Sequence, residues 1–143
     1  MRPLGSHGLC EEIDAILDDQ AVDPSTREDE LQVHAVRTVL RTVADQPDHL
    51  LVLLEVAPLG PSITAQVMTQ LLRVNNDLKV TYGEAVVIDN SAICLRACLP
   101  RSAELRGHAM ADWLLLYADL VHELREELQL HPSPRPSDIN RLA

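Results

Sequence analysis

Residues 48–100 read DHLLVLLEVAPLGPSITAQVMTQLLRVNNDLKVTYGEAVVIDNSAICLRACLP, and this stretch decides the fold of the chain. Within it, residues 49–57 predict a strand, because apolar residues occupy both alternating faces and Glu55 is the one acidic residue. A strand with two apolar faces is covered on both sides, by the chain's own helices and by something else. Leu-Gly-Pro at residues 59–61 then ends the strand, and its proline suits the first turn of a helix.

The remainder of the stretch predicts one helix and one hairpin. Apolar residues recur at helical spacing over residues 62–75, and the Asn-Asn-Asp sequence at their end favours a stop. Two apolar strands, residues 84–89 and 92–99, follow around an Asp-Asn-Ser turn. Cys94 and Cys98 are four residues apart on the second strand, so we expect both thiols on one face of the sheet as small hydrophobes.

The flanking sequence adds two helices and two strands, because it carries helical apolar stripes at both ends and a β-branched composition between them. The predicted ranges are 6–20 (helix), 22–30 (loop), 31–35 and 36–44 (strands), 45–48 (turn) and 103–130 (helix). The element order α-β-β-β-α-β-β-α predicts an α+β fold with an antiparallel sheet. The 143 residues are expected to form one domain over residues 1–130, followed by a proline-rich, disordered tail at 131–143.

The charge of the chain argues against two classes of partner. Lys and Arg number 12 and Asp and Glu number 22, which gives a formal net charge of −10. Such a surface repels nucleic acid phosphates and anionic lipid, so neither nucleic acid nor membrane is expected as a partner. The three cysteines lack the spacing of a disulfide framework or a zinc site, which fits a reducing cytoplasm, and no signal peptide is visible.

No motif in the sequence predicts catalysis or metal binding. The six histidines are scattered without metal-site spacing, and no serine lies in a Gly-x-Ser-x-Gly elbow. The five glycines include no Gly-x-Gly, so the known phosphate-binding loops are missing. We therefore predict a protein that is not an enzyme, with no catalytic, cofactor-binding or metal-binding residues. A small enzyme or ligand-binding α+β domain stays as an alternative.

Several short motifs follow one another along the chain. They are the strand 49–57 with its Leu-Gly-Pro break, Leu71-Leu72-x-x-Asn75 on the helix, Tyr82-Gly83 before a strand, and Leu99-Pro100 ahead of the long final helix. In this order they resemble the class I type III secretion chaperones, the Tir-chaperone (CesT-like) family. The resemblance covers residues 6–130 and is strongest over 48–100. The scarcity of aromatic residues and the proline-rich tail depart from the family pattern.

The resemblance implies a homodimeric chaperone in the cytoplasm of a bacterium with a type III secretion system. Chaperones of this family bind the N-terminal, non-globular segment of one or more effectors and keep it secretion-competent for delivery to the export apparatus. The implied partners are secreted effectors, a second copy of the chain and the secretion ATPase, and no cofactor is needed.

By analogy with the family, two sets of residues are expected at interfaces. The effector-binding groove is predicted to be lined by apolar residues of the first helix and first strands: Leu9, Ile13, Leu17, Val33, Val36 and Leu40. The dimer interface is predicted on the second helix and the last strand, at Val67, Leu71, Val74, Cys94 and Arg96.

Another role on the same fold stays open. A YbjN-like regulatory or binding module shares this architecture, and the residue pattern does not separate it from a secretion chaperone. A stable complex with secreted proteins would distinguish the two, whereas a deep polar pocket with convergent carboxylates or histidines would favour an enzyme.

Overall fold

The computed structural model describes residues 6–22, 28–43, 45–78, 80–102 and 105–132. The helices are α1 (Ser6–Val22), α2 (Ala65–Asp77) and α3 (His108–Leu128). The strands are β1 (Glu28–Val33), β2 (Val36–Val43), β3 (Gln46–Pro58), β4 (Ala85–Asp89) and β5 (Ala92–Pro100). They form one antiparallel sheet in the order β1-β2-β3-β5-β4. The predicted α+β class and element order are therefore confirmed.

Two predicted connections are wrong because they belong to strands. Residues 28–30 were expected in a loop, yet they begin β1, where Glu28 pairs with Arg41 across the ladder. Opposite charges on facing positions stabilise a strand that three acidic residues would not form by propensity alone. Likewise, residues 46–48 were expected in a turn and instead begin β3.

The predicted starts of the second and third helices are a few residues too early. Helix α2 begins at Ala65 rather than at residue 62, because the Thr64 hydroxyl accepts the Val67 N–H at 3.2 Å and caps the first turn. Helix α3 begins at His108 rather than at residue 103. The tail predicted at 131–143 lies outside the described residues from residue 133 onward.

One face of the sheet forms the core. Thr38 lies opposite Leu54 across β2 and β3, and Leu54 lies opposite Leu95 across β3 and β5. Directly opposed residues share a face, so the buried positions alternate along each strand. The fully or almost fully buried apolar residues on this face include Val36, Leu40, Leu50, Val52, Leu54, Leu95, Ala97 and Leu99. Each buried leucine contributes roughly 1.5–3 kcal/mol relative to an exposed one.

Helices α1 and α3 cover the core face. Helix α3 packs on β3, and α1 packs on α3. The start of α3 is bound to α1, since the backbone N–H of Gly107 donates to the Asp14 carboxylate at 3.2 Å. Gly107 has a φ of 64°, a left-handed conformation that favours glycine. Among the described residues, no helix is long and apolar enough to cross a membrane.

Arg125 connects α3 to a bulge in β3. The register of β3 and β5 shifts between Glu55 and Ala57, which leaves Val56 outside the ladder. The Arg125 Nε donates to the Val56 carbonyl at 2.8 Å and its Nη2 donates to the Glu55 carbonyl at 2.6 Å. Burial lowers the pKa of Arg125 below its ordinary value and the nearby Glu55 carboxylate raises it. The guanidinium therefore supplies the donors that the bulge removes from the ladder.

Candidate partner-binding site

The β4 edge of the sheet is occupied by a side chain of α2. The Asn75 Nδ2 donates to the Val86 carbonyl at 3.0 Å, and the Val86 N–H donates to the Asn75 Oδ1 at 2.6 Å. A neighbouring strand would make these same two bonds to Val86. The Asn75 amide therefore covers the middle of an edge strand that would otherwise accept another chain.

The β1 edge, by contrast, is open as far as the described residues show. The two-residue turn His34-Ala35 makes Val33 and Val36 a hydrogen-bonded pair, so pairing with β2 alternates from there along β1. The backbone groups of Glu28, Glu30 and Gln32 consequently point away from β2. Within the described part of the chain no hydrogen bond reaches these outward groups. A further antiparallel or parallel strand can pair with them.

The oxygen of a buried amide beside this edge lacks a hydrogen-bond donor among the described residues. The Gln20 side chain, at the end of α1, is 1% exposed, and its Nε2 donates to the Asp29 carboxylate at 2.9 Å. Asp29 fixes the orientation of the amide, because a carboxylate cannot donate to the amide oxygen. The Gln20 Oε1 has no hydrogen-bond partner among the residues described. A buried acceptor of this kind is costly unless a donor reaches it.

The β1–β2 turn is held against α3. The His122 Nε2 lies 2.6 Å from the His34 carbonyl oxygen, and the His34 Nδ1 lies 3.5 Å from the Asp119 carboxylate. His34 and Ala35 have φ angles of 46° and 62°, a left-handed pair that matches the twist of a tight hairpin. The hairpin that carries the open edge is therefore anchored at its tip.

The sheet face turned away from α1 and α3, here called the open face, is strongly curled. Arg41 lies on β2 and Asp89 on β4, with β3 and β5 between them in the sheet. Even so, the two Arg41 Nη atoms bond both carboxylate oxygens of Asp89 at 3.2 Å. The twist of the sheet thus brings the tip of the β4–β5 hairpin over β2. This curl buries Leu53 and Cys94 on the open face.

A cavity of about 200 Å³ lies inside this curl. Its floor includes Val39, Leu53 and Cys94, and its rim carries two guanidinium groups with their carboxylate partners. Arg37 pairs with Glu30 at 2.7 Å and reaches Glu55 at 3.5 Å. Arg41 pairs with Glu28 as well as with Asp89.

The thiol in this cavity is held in its protonated form. Burial, and then the negative charges of Asp89 and Glu55, raises the pKa of Cys94 to about 11. The thiol is therefore protonated at neutral pH, and thiolate chemistry is suppressed. As predicted, Cys94 and Cys98 share a face, because Leu51 pairs with Cys98 and Glu55 with Cys94 along one side of β3.

The six residues predicted for the effector groove lie in the core. Leu9, Ile13, Leu17, Val33, Val36 and Leu40 are all 0–5% exposed. The structure does bring them together, since they belong to one apolar cluster between α1, α3 and the sheet. In this conformation they pack against the chain itself.

The five residues predicted for the dimer interface do not share one surface. Leu71 is buried, and Val67 and Val74 pack against the core cluster. Cys94 and Arg96 lie on the open face, where Arg96 is exposed. The exposed large apolar residues of this region are instead Leu72 on α2, Val80 between α2 and β4, and Ile88 on β4.

All three aromatic residues of the sequence meet beside a buried carboxylate. The Tyr82 and Trp113 rings lie 4.9 Å apart, and the Trp113 and Tyr117 rings lie 5.7 Å apart. The Tyr117 hydroxyl donates to Glu84 at 2.7 Å, and the N–H groups of Thr81 and Tyr82 donate to the same carboxylate. Burial raises the pKa of Glu84. These three donors together lower it by more than burial raises it, so the net pKa is below the ordinary value.

The Glu84 contacts predict a pH-dependent stability. A carboxylate with a lowered pKa in the folded chain stabilises it above the unfolded value of 4.5, and this contribution is lost as pH falls through the folded value. We expect Glu84→Gln to reduce the free energy of unfolding by roughly 1–3 kcal/mol at neutral pH. In urea titrations the difference from the parent chain should shrink as the pH falls below the unfolded value of 4.5. A difference that does not change with pH would contradict the assignment, and Glu123→Gln on the exposed face of α3 serves as control.

Two features of the site escaped the sequence prediction. Asn75 was expected only to end α2, although an amide at the end of a helix before an edge strand is also a candidate for covering that strand. The second feature is the set of charged pairs between β1 and β2, and its signal in the sequence is the spacing of those charges. Glu28 and Glu30 are two apart and Arg37 and Arg41 four apart, so each pair occupies one face of its strand.

Comparison with known proteins gives a likeness of fold. No model of a known protein family matches the chain, and no curated protein matches it. Among solved structures, it is similar to a chain in the heterodimeric complex ExoU–SpcU from the type III secretion system of Pseudomonas aeruginosa. The TM-score is 0.51 at 18% sequence identity, over 81% of this chain and 93% of that one. The chain therefore has a type III secretion chaperone-like fold.

Proposed function

We propose that this chain is a cytoplasmic type III secretion chaperone, which binds the N-terminal, non-globular segment of one or more effectors and keeps it secretion-competent. The observation that carries the proposal is the likeness of its fold, over most of both chains, to a chain of a complex from a type III secretion system. The motif order over residues 48–100 supports the same function. Assignment to the CesT-like branch is part of the proposal.

The open β1 edge supports a specific mode of binding. Strand addition uses backbone hydrogen bonds, which tolerate many client sequences, and specificity comes from the alternating side chains. An extended client that pairs with Glu28, Glu30 and Gln32 meets outward backbone groups that have no partner among the described residues. A segment that is disordered when free is ordered on binding, and can be released again for export.

The β4 side of the chain is proposed for dimerisation. Asn75 covers this edge, so a second copy would not add a strand there but would contact the exposed side chains of Leu72, Val80 and Ile88. Light scattering should then give twice the 15.9 kDa mass of one chain. Changing both Leu72 and Ile88 to glutamate should give a folded monomer. A parent chain that already scatters as one copy would contradict this part.

The test of the proposed function is recovery of clients. The tagged chain is captured from the bacterium that encodes it under secretion-inducing conditions, and co-purified proteins are identified by mass spectrometry. We expect one or more secreted proteins, whose recovery is lost when their N-terminal segments are deleted. Recovery of the chain without secreted proteins would move the assignment to a regulatory module of the same fold.

A proline in β1 tests the binding mode separately. The N–H of Glu30 points away from β2, so Glu30→Pro removes an edge donor while the ladder to β2 stays intact. We expect this variant to bind the N-terminal segment of a recovered effector roughly tenfold more weakly than Glu30→Ala, which keeps the N–H. Circular dichroism checks that both variants fold. Equal affinities would place the client away from β1.

A further inference from the structure

The open-face cavity carries an excess of negative charge over an apolar floor. Four carboxylates, from Glu28, Glu30, Glu55 and Asp89, face the guanidinium groups of Arg37 and Arg41, which leaves a formal charge of −2. Each arginine thus bonds two carboxylates, and the rim keeps a net negative charge.

This chemistry selects one type of occupant. An anionic group is repelled by the net charge of the cavity and of the whole chain. A purely apolar side chain would strip water from charged rim groups without replacing their hydrogen bonds. The occupant must therefore be positively charged and must also cover the apolar floor. A lysine or arginine side chain does both, because its aliphatic stem can lie on Val39 and Leu53 while its charged head bonds the carboxylates.

We propose that this cavity receives a lysine or arginine side chain from the extended segment that the chain binds. The inference rests on the proposed function and adds the chemical class of the client segment. Glu28 and Glu30 belong both to the cavity rim and to the open β1 edge. A strand paired at that edge places alternate side chains on the open face. A client strand at this edge therefore directs its basic side chain to the open face and the residues on either side of it to the core side of the sheet.

The contribution of the basic residue is electrostatic and is screened by salt. The Arg41 and Asp89 side chains are both about a quarter exposed, at 26% and 29%, so the cavity is partly shielded from water. Charge pairs in such a setting set specificity and register more than total affinity. We expect a preference of about tenfold for the basic client at low salt, weakening as the Debye length falls to about 8 Å at physiological salt.

The test uses the full chain and two capped probe peptides. One alternates valine and arginine (Ser-Val-Arg-Val-Arg-Val-Ser), and the other carries citrulline, which has the shape of arginine without its charge, at both arginine positions. Affinities are measured by calorimetry, and amide chemical shifts locate the bound peptide. The double variant Glu28→Gln with Asp89→Asn removes two rim charges. The matched control, Asp112→Asn with Glu123→Gln, removes two charges from exposed positions of α3.

The expected result is tighter binding of the arginine peptide, with shifts at residues 28–32 and at Leu53, and loss of the preference in the rim variant but not in the control. Equal binding of the two peptides by the parent chain, or binding of neither, would overturn the inference, and this holds even if the rim variant fails to fold. If both double variants lost the preference equally, the preference would be an effect of net charge and the cavity assignment would be wrong. The chaperone proposal is judged independently, by recovery of secreted clients.

Discussion

Replacing Ile13 with aspartate is expected to unfold the chain. Ile13 is 0% exposed in the cluster between α1, α3 and the sheet. An unpaired carboxylate at such a position costs several kcal/mol, which is comparable with the roughly 5–15 kcal/mol of stability of a typical domain. Far-UV circular dichroism and thermal melting should show loss of cooperative structure, so this variant cannot report on effector binding alone.

Two further variants make the Ile13 prediction decisive. Ala15→Asp introduces the same charge on the exposed side of α1 and should change the free energy of unfolding by no more than about 0.5 kcal/mol. Ile13→Val keeps the core apolar and should cost about 0.5–1.5 kcal/mol. A cooperative melt of Ile13→Asp close to that of the parent would show that the side chain can reach water, as the predicted groove requires.

Replacing Arg125 with methionine should reduce the free energy of unfolding by about 3 kcal/mol. Methionine fills the volume but donates no hydrogen bond to the carbonyls of Glu55 and Val56, which Arg125 bonds at the bulge. Each buried acceptor without a partner costs about 1–3 kcal/mol. Urea denaturation measures the change, which should lower the midpoint without changing the slope.

The control for Arg125→Met separates lost donors from lost charge. Arg125→Lys keeps the charge but has one donor nitrogen in place of the two that bond the carbonyls. Its effect on the free energy of unfolding should be intermediate. Arg96→Met removes a guanidinium from the exposed open face and should have little effect. An Arg125→Met variant as stable as the parent would show that the bulge carbonyls find other donors, as can happen when a buried charged group is exchanged for an apolar one.

The class of fold and the order of its elements could be predicted from local sequence patterns. Residues 49–57 and 92–99 were recognised because their alternating or continuous apolar residues are a local signal of a sheet. The same holds for the apolar stripes of the three helices. Their spacing depends on the geometry of one element alone, so it can be read without knowing what the element contacts. The chaperone-like fold was expected from a resemblance instead, because the motif order over residues 48–100 is similar to that of the class I type III secretion chaperones.

Which surfaces are open depends on how the elements pack, and this could not be predicted from local patterns. Ile13 and Leu40 have the same apolar character in the sequence whether they face a groove or a core, and only packing shows that both are buried. The acidic start of β1 becomes a strand through its pairing with Arg41, and the Asn75 amide covers β4 across eleven residues of sequence. The Arg41–Asp89 contact spans 48 residues and depends on the twist of the whole sheet. Such contacts join residues far apart in the chain, so no local pattern encodes them.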